Sequence, residues 1–308
     1  MDSPTDPITG AIRRLNDARR RATTALVEPA PPRPAPLAPT GRAGRNLPAA
    51  IGVGVGLLAL VGASLFIRRE AFVVLATLAV CAALWELAGA VSQRRVRIPV
   101  LPLWVGAVGM LVSAWVAGEE ALFVAFTLTA GGVFVWRVID GGGMDAVRDA
   151  AAGIFAAAYV PLLGAFTVLL LRLEDGPWLV LAVLLVAVAN DTGGYVAGVF
   201  FGRTPMAPSI SPKKSWEGAA GSLVLACAVG IAVVALTLDG PWWAGAVLGA
   251  AAVLSATTGD LAESLLKRDL GLKDMGSLLP GHGGVMDRLD SILVCAPVCY
   301  AVLRLLVV

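Results

Sequence analysis

The chain contains few charged residues, one histidine and four cysteines among its 308 residues. Charged residues make up 15% and hydrophobic residues 57% of the chain, and the mean hydropathy is +0.80. This balance excludes an ordinary soluble domain and predicts a polytopic membrane protein. Cys81, Cys227, Cys295 and Cys299 lie in apolar segments, with neither metal-ligand spacing nor a paired framework. We interpret them as small buried hydrophobic residues.

The N-terminal segment, residues 1–47, differs from the rest of the chain. Residues 12–26 could form a basic amphipathic helix, and a run rich in proline and alanine follows. This composition predicts a cytoplasmic basic tail and a disordered linker rather than a folded domain. A secretory signal peptide is excluded because the charged region is long and no apolar segment follows it promptly. The tail is either simply solvated or attracted to anionic lipid headgroups.

Residues 48–308 form the predicted membrane domain, since a span needs about 20 apolar residues. The apolar segments number about nine and cover residues 48–67, 71–92, 99–117, 120–138, 148–171, 177–200, 218–238, 241–258 and 289–307. They predict an all-α, multi-pass fold. The eighth should continue as one helix from about Trp242 to Leu270, with Gly271 as its C-terminal cap. The last helix should begin near Val285.

Lysine and arginine are distributed unequally between alternate loops. One set of loops carries residues 94–97, 137–148, 203–214 and 267–288 with most of the basic side chains, and the arginine-rich tail falls on the same side. The positive-inside rule therefore predicts a cytoplasmic N-terminus and a C-terminus outside the cell membrane. The polar residues 264–290 are then at the cytoplasmic face.

The stretch 264–290 is a polar island with four basic residues, four aspartates and the single histidine, His282. Such groups are costly beside hydrocarbon, which indicates a function. The order Ser264-x-Leu266-Lys267-Arg268, Lys273-Asp274, Pro280-Gly281-His282-Gly283-Gly284 and Asp287-Arg288-Leu289-Asp290 resembles the signature of the phosphatidate cytidylyltransferases. Residues 190–218 and 257–264 are similar to the same family.

Helical spacing groups the acidic side chains of this region. Asp260, Glu263 and Ser264 share one face of a helix, and Asp287 and Asp290 share a face of the next. The glycine-rich turn between the two helices allows close backbone approach to an anion. His282 could contact phosphate or a base, or could cap the turn.

Three further polar features lie upstream. Glu86, inside the second span, either lines a polar cavity or makes a structural hydrogen bond. Asp191 lies at membrane depth beside Gly194, Gly198 and Gly202, a stripe that suits tight helix packing. In the loop 203–218 the prolines prevent regular helix, while its serines and lysines could hold a polyphosphate or simply form a positive-inside loop.

The family resemblance implies transfer of CMP from CTP to phosphatidate, with CDP-diacylglycerol and pyrophosphate as products, in phospholipid biosynthesis. Aspartates with hydroxyl groups nearby suit a hard cation such as Mg²⁺, with room for a second cation, and we assign Asp260 and Asp287 as its ligands. The catalytic residues implied are Asp260, Asp287, Lys267, Arg268, Arg288 and Asp290. The substrate-binding residues implied are Asp191, Ser209, Ser211, Lys213, Lys214, Ser215, Ser264, Lys273, Gly281, His282, Gly283 and Gly284. The partners implied are the two substrates, the lipid bilayer and a second copy in a homodimer, with no nucleic acid.

Other classes of protein fit less well. A CTP-dependent lipid kinase is chemically close, and the full signature argues against it. A polytopic lipid transporter explains the helices and Glu86 but needs no cytoplasmic cluster of this density. Asp140-Gly141 opens like a CDP-alcohol phosphotransferase motif but lacks its Ala-Arg, and Asn190-Asp191 lacks the second aspartate of a prenyltransferase motif.

Overall fold

The computed structural model describes residues 47–140, 143–276, 278 and 283–308. Within these ranges the elements in chain order are α1 (Leu47–Ile67), α2 (Arg69–Ser92), α3 (Val100–Ala117), α4 (Glu119–Asp140), α5 (Gly143–Ala157), a π-helical turn (Ala158–Leu162), α6 (Leu163–Arg172), α7 (Gly176–Phe201), β1 (Pro205–Ala207), β2 (Ser211–Ser215), α8 (Trp216–Thr237), α9 (Trp242–Leu270) and α10 (Met286–Leu306). The predicted all-α membrane fold is confirmed. The predicted tail lies outside the described residues except for Leu47, where α1 begins.

The helices are long enough to cross a membrane. Eight described segments meet the length and hydropathy of a span, with α5, the π-helical turn and α6 counted as one, Gly143–Arg172. Helix α1 is 21 residues long, and its part Gly54–Ile67 is apolar. These eight segments together with α1 agree with the predicted count of about nine. Gly271 ends α9 with φ 72° in the left-handed region, as predicted.

Apolar side chains cover the outside of the bundle as well as its interior. Val105, Leu128 and Leu254 are 67%, 71% and 74% exposed, which in water would be unfavourable and in lipid is not. The interior is close-packed around residues such as Leu103 and Leu170, which have no exposed surface. The protein is therefore a multi-pass membrane bundle with an inner core and a lipid-facing apolar surface.

Helices α7 to α10 pack in sequence, each against the next, and α10 also contacts α2, α6 and α7. Glycines permit the closest of these contacts. A Cβ on Gly193 would lie 2.5 Å from the carbonyl oxygen of Gly221, so α7 and α8 meet backbone to backbone. Gly245 of α9 makes an equally close contact with Gly230 of α8. The four helices form a closely packed group, and α10 connects this group to α2 and α6.

The basic loops meet at one end of the bundle. The side chain of Arg94 donates to the carbonyl oxygen of Asp269, and Arg148 Nη2 donates to the carbonyl oxygen of Arg95 at 2.9 Å. At the opposite end, Arg69 donates to the carbonyl oxygens of Leu173 and Glu174 at 3.0 and 2.8 Å. The contacts therefore join loops that the charge distribution had placed on the same side.

The segment between α7 and α8 is more regular than the sequence indicated. Its prolines exclude helix, as predicted, but β1 and β2 pair as an antiparallel hairpin, with Pro205 opposite Ser215 and Ala207 opposite Ser211. A ribbon of two strands tolerates proline because both of its outer edges are unpaired. The hairpin fixes the side chains that a loose loop would leave free.

Candidate active site

A polar cavity of about 390 Å³ lies between the hairpin and helices α7 to α10. Its lining consists of Asn190, Asp191, Gly194 and Tyr195 from α7; Met206, Lys213, Lys214 and Ser215 from the hairpin; Gly218, Ala219 and Ser222 from α8; Thr257, Asp260 and Ser264 from α9; and Asp287, Asp290 and Ser291 from α10. Four carboxylates thus face two lysines at the end of the bundle where the basic loops meet. Carboxylates in a membrane bundle face such polar interiors because exposure to hydrocarbon is costly.

Asp260 is held between the hairpin and α10. Its Oδ2 accepts a hydrogen bond from Lys214 Nζ at 2.6 Å, and its Oδ1 accepts one from the hydroxyl of Ser291. The side chain remains 17% exposed and that of Lys214 29% exposed, so both reach the cavity. An aspartate inside a helix at this depth is stabilised by the lysine, which supplies the opposite charge.

Asp287 is the more enclosed aspartate, and its side chain is 5% exposed. Its Oδ1 accepts from Lys267 Nζ at 2.9 Å, and its Oδ2 accepts from the backbone N–H groups of Met275 and Gly284 at 2.9 and 3.1 Å. Lys267 also lies 3.4 Å from Glu263, one helical turn away on α9. Asp287 therefore links α9, α10 and the loop between them, residues 271–285, which we call the signature loop.

The hairpin is anchored so that Lys213 and Lys214 point to the cavity. The carboxylate of Glu217 accepts hydrogen bonds from the backbone N–H groups of Arg203 and Thr204, both at 3.2 Å. The hydroxyl of Ser215 accepts from the N–H of Gly218 at 3.1 Å and so caps α8. These bonds close the base of the hairpin and set β2 beside the start of α8.

Helix α7 presents Asp191 at the cavity edge. The hydroxyl of Ser222 donates to the carbonyl oxygen of Asn190 at 2.5 Å, and the Asn190 side-chain amide donates to Asp191 Oδ1 at 3.0 Å. The approach of α8 is close here because Gly194 has no Cβ, which would otherwise meet the Ser222 hydroxyl. The glycine stripe of α7 faces α8 at this point, in agreement with its interpretation as a packing surface.

The structure brings together many of the side chains predicted for the site. The predicted residues in the cavity lining are Asp191, Lys213, Lys214, Ser215, Asp260, Ser264, Asp287 and Asp290. Lys267, Gly283 and Gly284 lie directly beside Asp287. Arg268 lies at the rim, where its Nε donates to the carbonyl oxygen of Ile210 in the hairpin at 3.3 Å. Gly281 and His282 lie outside the described residues.

Other predicted residues lie apart from the cavity. Among the described residues, Ser209, Ser211, Lys273 and Arg288 do not contribute to its lining. Glu263 shares a face with Asp260 by helical spacing but is 1% exposed and lies behind the cavity wall. The helical spacing of the acidic residues therefore predicts which side of α9 faces the site. The close packing of α10 against α9 determines which of these side chains reach the cavity.

Sequence reasoning missed several lining residues. Ser291 contacts both Asp260 and Asp290, and its position four residues after Asp287 places it on the same face of α10. That spacing was an available signal. Tyr195, Thr257 and Ser222 carry no comparable signal, because their place in the cavity depends on how α7, α8 and α9 pack.

Glu86 does not line this cavity. Its two carboxylate oxygens accept hydrogen bonds from the backbone N–H groups of Met286 at 2.9 Å and Leu278 at 3.4 Å. Of the two interpretations left open by the sequence, the structural hydrogen bond is the one observed. Its partners belong to the signature loop and to the first residue of α10.

The donor set of the cavity fits a hard cation. Among the described residues, no three His, Cys, Asp or Glu side chains come together as a metal-binding group. Mg²⁺ does not need such a group, because it takes one or two carboxylates together with substrate phosphates and water. Asp260 and Asp287 supply carboxylates of this kind on facing helices.

Comparison with known proteins identifies the family of the chain. The chain matches the cytidylyltransferase family over residues 48–306. It is 40% identical over 282 residues to a phosphatidate cytidylyltransferase of Mycobacterium leprae, covering 87% of this chain and 90% of the relative. It is 39% identical over 284 residues to the protein of the same name from Mycobacterium bovis, covering 88% and 92%. The resemblance of the polar stretch is confirmed, and the chain belongs to the cytidylyltransferase family.

Proposed function

We propose that the protein is a phosphatidate cytidylyltransferase, which transfers CMP from CTP to phosphatidate. The observation that carries the proposal is the polar cavity, where four aspartates face Lys213 and Lys214 inside a membrane-spanning bundle. Phosphate groups of both substrates need cationic side chains, and the lipid substrate needs a site at the membrane. A cavity with both properties suits a reaction between a nucleotide and a phospholipid.

The reaction balances without a protein nucleophile. An oxygen of the phosphatidate phosphate forms a bond to the α-phosphorus of CTP, and the bond from that phosphorus to the β-phosphate bridging oxygen breaks. Pyrophosphate leaves with the electron pair, and CDP-diacylglycerol remains. Phosphoryl-type transfers of this kind depend chiefly on positioning and on electrostatic stabilisation of the phosphates.

The basic residues provide that stabilisation. Lys214 and Lys267 are bound to Asp260 and Asp287, and each can turn its ammonium group to a phosphate oxygen when the nucleotide binds. Asp260 and Asp287 would hold Mg²⁺ once the lysines are engaged with phosphate. A bound Mg²⁺ supplies charge neutralisation of the converging phosphates and orientation of the triphosphate.

The orientation in the membrane is also part of the proposal. The loops richest in lysine and arginine meet at the end that carries the cavity, and this end should face the cytoplasm of the cell membrane. The N-terminus is then cytoplasmic and the C-terminus outside. The family resemblance further implies a homodimer. A measurement of the mass of the purified protein in detergent tests this.

A double-label assay tests the function. Purified protein in phosphatidate-containing vesicles is incubated with Mg²⁺ and CTP labelled at either the α- or the γ-phosphate. We expect α-label to enter the lipid fraction and γ-label to be recovered as pyrophosphate. The Asp260→Asn variant serves as the matched control for contaminating activity.

Other outcomes would contradict the proposal. With diacylglycerol as acceptor, transfer of γ-label into lipid would identify a CTP-dependent lipid kinase. Absence of both labels from lipid, in vesicles where the protein is inserted and folded, would favour a transport function.

A further inference from the structure

Glu86 connects the second span to the signature loop, 192 to 200 residues further along the chain. Glu86 is 5% exposed, and its Oε2 accepts a hydrogen bond from the backbone N–H of Met286 at 2.9 Å. Met286 has no exposed surface. The second oxygen accepts from the N–H of Leu278 at 3.4 Å. One buried carboxylate thus contacts the signature loop at Leu278 and α10 at its first residue, Met286.

Two glycines of the loop make room for this carboxylate. A Cβ on Gly284 would lie 2.5 Å from Glu86 Oε2, and one on Gly276 would overlap the same carboxyl group. Neither glycine has a positive φ. Glycine is therefore required at these two positions because a side chain would clash with Glu86, and not because of the backbone conformation. The carboxylate and the glycines therefore form a fitted contact between α2 and the loop.

The contact lies next to the polar cavity. Gly284 donates its N–H to Asp287 Oδ2 at 3.1 Å, and Met286 directly precedes Asp287 in the chain. The backbone from Gly284 to Asp287 is thus held by Glu86 on one side and by the Asp287 carboxylate on the other. Asp287 cannot keep its place if this backbone shifts, because two of its three partners, Met275 and Gly284, belong to the loop.

We propose that Glu86 is a positioning residue, which fixes the backbone of the signature loop at Leu278 and the start of α10 at Met286, and thereby holds the Asp287 carboxylate at the polar cavity. The role of Asp287 in nucleotide transfer rests on the proposed function, whereas the hold of Glu86 on the loop does not. A carboxylate suits the position because both of its oxygens only accept, and backbone N–H groups approach each of them.

The test uses Glu86→Gln in the full chain, because glutamine keeps the shape and places a donor against a backbone N–H. Hydrogen exchange measured by mass spectrometry should show amides of residues 283–290 exchanging at least about tenfold faster, with α3 and α6 unchanged. Turnover should fall about 10- to 100-fold, as for other residues that orient a ligand. The Mg²⁺ concentration for half-maximal turnover should rise, while the KM for phosphatidate should not.

Asp149→Asn is the matched control. Asp149 is another buried carboxylate, 2% exposed, that pairs with Arg137 at 2.7 Å and accepts the N–H of Arg97 at 3.1 Å. Its loss should lower thermal stability without altering exchange in residues 283–290 or the Mg²⁺ dependence. If Glu86→Gln fails to fold, Gly276→Ala provides a second test, since its methyl group displaces the same carboxylate.

The outcomes separate this inference from the proposed function. Wild-type exchange in residues 283–290 together with an unchanged Mg²⁺ dependence in Glu86→Gln would overturn the inference, even if the wild type makes CDP-diacylglycerol. Effects equal to those of Asp149→Asn would also overturn it, because they would reflect general destabilisation. A wild type inactive with CTP and phosphatidate would overturn the function while leaving the exchange result interpretable.

Discussion

At the scale of single residues, the two aspartates proposed as metal ligands are not equivalent. Asp260 has a side chain 17% exposed and is bound by Lys214 and Ser291. Asp287 is 5% exposed, and one of its oxygens is occupied by two backbone N–H groups. Replacement of Asp287 therefore removes a charge and also disturbs the loop, whereas replacement of Asp260 chiefly removes a charge.

We expect Asp260→Asn and Asp287→Asn each to reduce turnover by at least about 100-fold, which corresponds to about 2.7 kcal/mol. An amide keeps the shape of the side chain but is a poor ligand for a hard cation. Turnover is measured with CTP and phosphatidate across a range of Mg²⁺ concentrations. High Mg²⁺ should restore part of the activity of Asp260→Asn, and less of that of Asp287→Asn.

The control for this pair is Asp145→Asn, because the Asp145 side chain is 85% exposed and is not part of the cavity lining. It should retain activity close to that of the wild type. Near wild-type turnover of both cavity variants at limiting Mg²⁺ would contradict the metal assignment. The lysines and arginines would then have to neutralise the phosphates alone.

At the scale of helices, glycine contacts join α8 and α9, two of the helices that contribute residues to the cavity. Helices α8 and α9 approach so closely that a Cβ on Gly249 would meet the backbone of Ala226 and Cys227. Gly245 and Gly230 form a second contact one turn away. In lipid, where apolar surface gives no driving force for association, such close packing is a main source of helix affinity.

We expect Gly245→Val to destabilise the bundle by about 1–3 kcal/mol, because the added atoms push against backbone that cannot move aside. The apparent melting temperature of the purified protein in detergent should fall by about 5 °C. Gly109→Ala is the control, since a Cβ on Gly109 of α3 would meet nothing within 4 Å. An equal effect of the two substitutions would show that α8 and α9 do not depend on this contact.

The helices were largely predictable because their lengths follow from hydropathy. The approximate bounds predicted for the long α9 and its cap at Gly271 agree with the observed helix. The hairpin was missed because serine and lysine at its β2 positions carry no alternating apolar pattern, and its form depends on the Glu217 carboxylate. The partners of Glu86 could not be predicted, since they lie about 200 residues away and depend on the packing of α10 against α2.

The candidate site was predictable where polar residues interrupt apolar helices. Asp260, Asp287 and Asp290 stand out on this ground, and the structure places all three at the cavity. Thr257 does not, because a threonine hydroxyl within an apolar helix commonly bonds to its own backbone. Thr258, next in sequence, does so at 2.7 Å to the carbonyl oxygen of Leu254.

At the scale of the whole molecule, the loops divide into a basic end and an opposite end. Cysteine labelling tests the proposed orientation in a variant without the four native cysteines. Asp145→Cys, at the basic end, should resist an impermeant thiol reagent in intact cells, and Asp239→Cys, at the opposite end, should react. Both residues are exposed, so accessibility depends on the side of the membrane. The reverse pattern would overturn the orientation.

Deletion of residues 1–45 tests the predicted tail. The family match begins at residue 48, so the deletion leaves the matched region complete. We expect the specific activity of purified, correctly inserted protein to remain within a few-fold of the wild type. A loss of about 100-fold with insertion intact, equivalent to about 2.7 kcal/mol, would assign the tail a role in catalysis or assembly.

The two lysines bound to the cavity aspartates have a consequence for substrate binding. In the resting protein Lys214 and Lys267 act as internal counterions, so Asp260 and Asp287 are paired with opposite charges before any substrate is present. Under the proposed function, binding of a nucleotide with its cation would exchange one set of ion pairs for another instead of adding charge to an open surface. Such an exchange would keep each of these charged groups next to an opposite charge, which spares the surrounding apolar helices an unpaired charge.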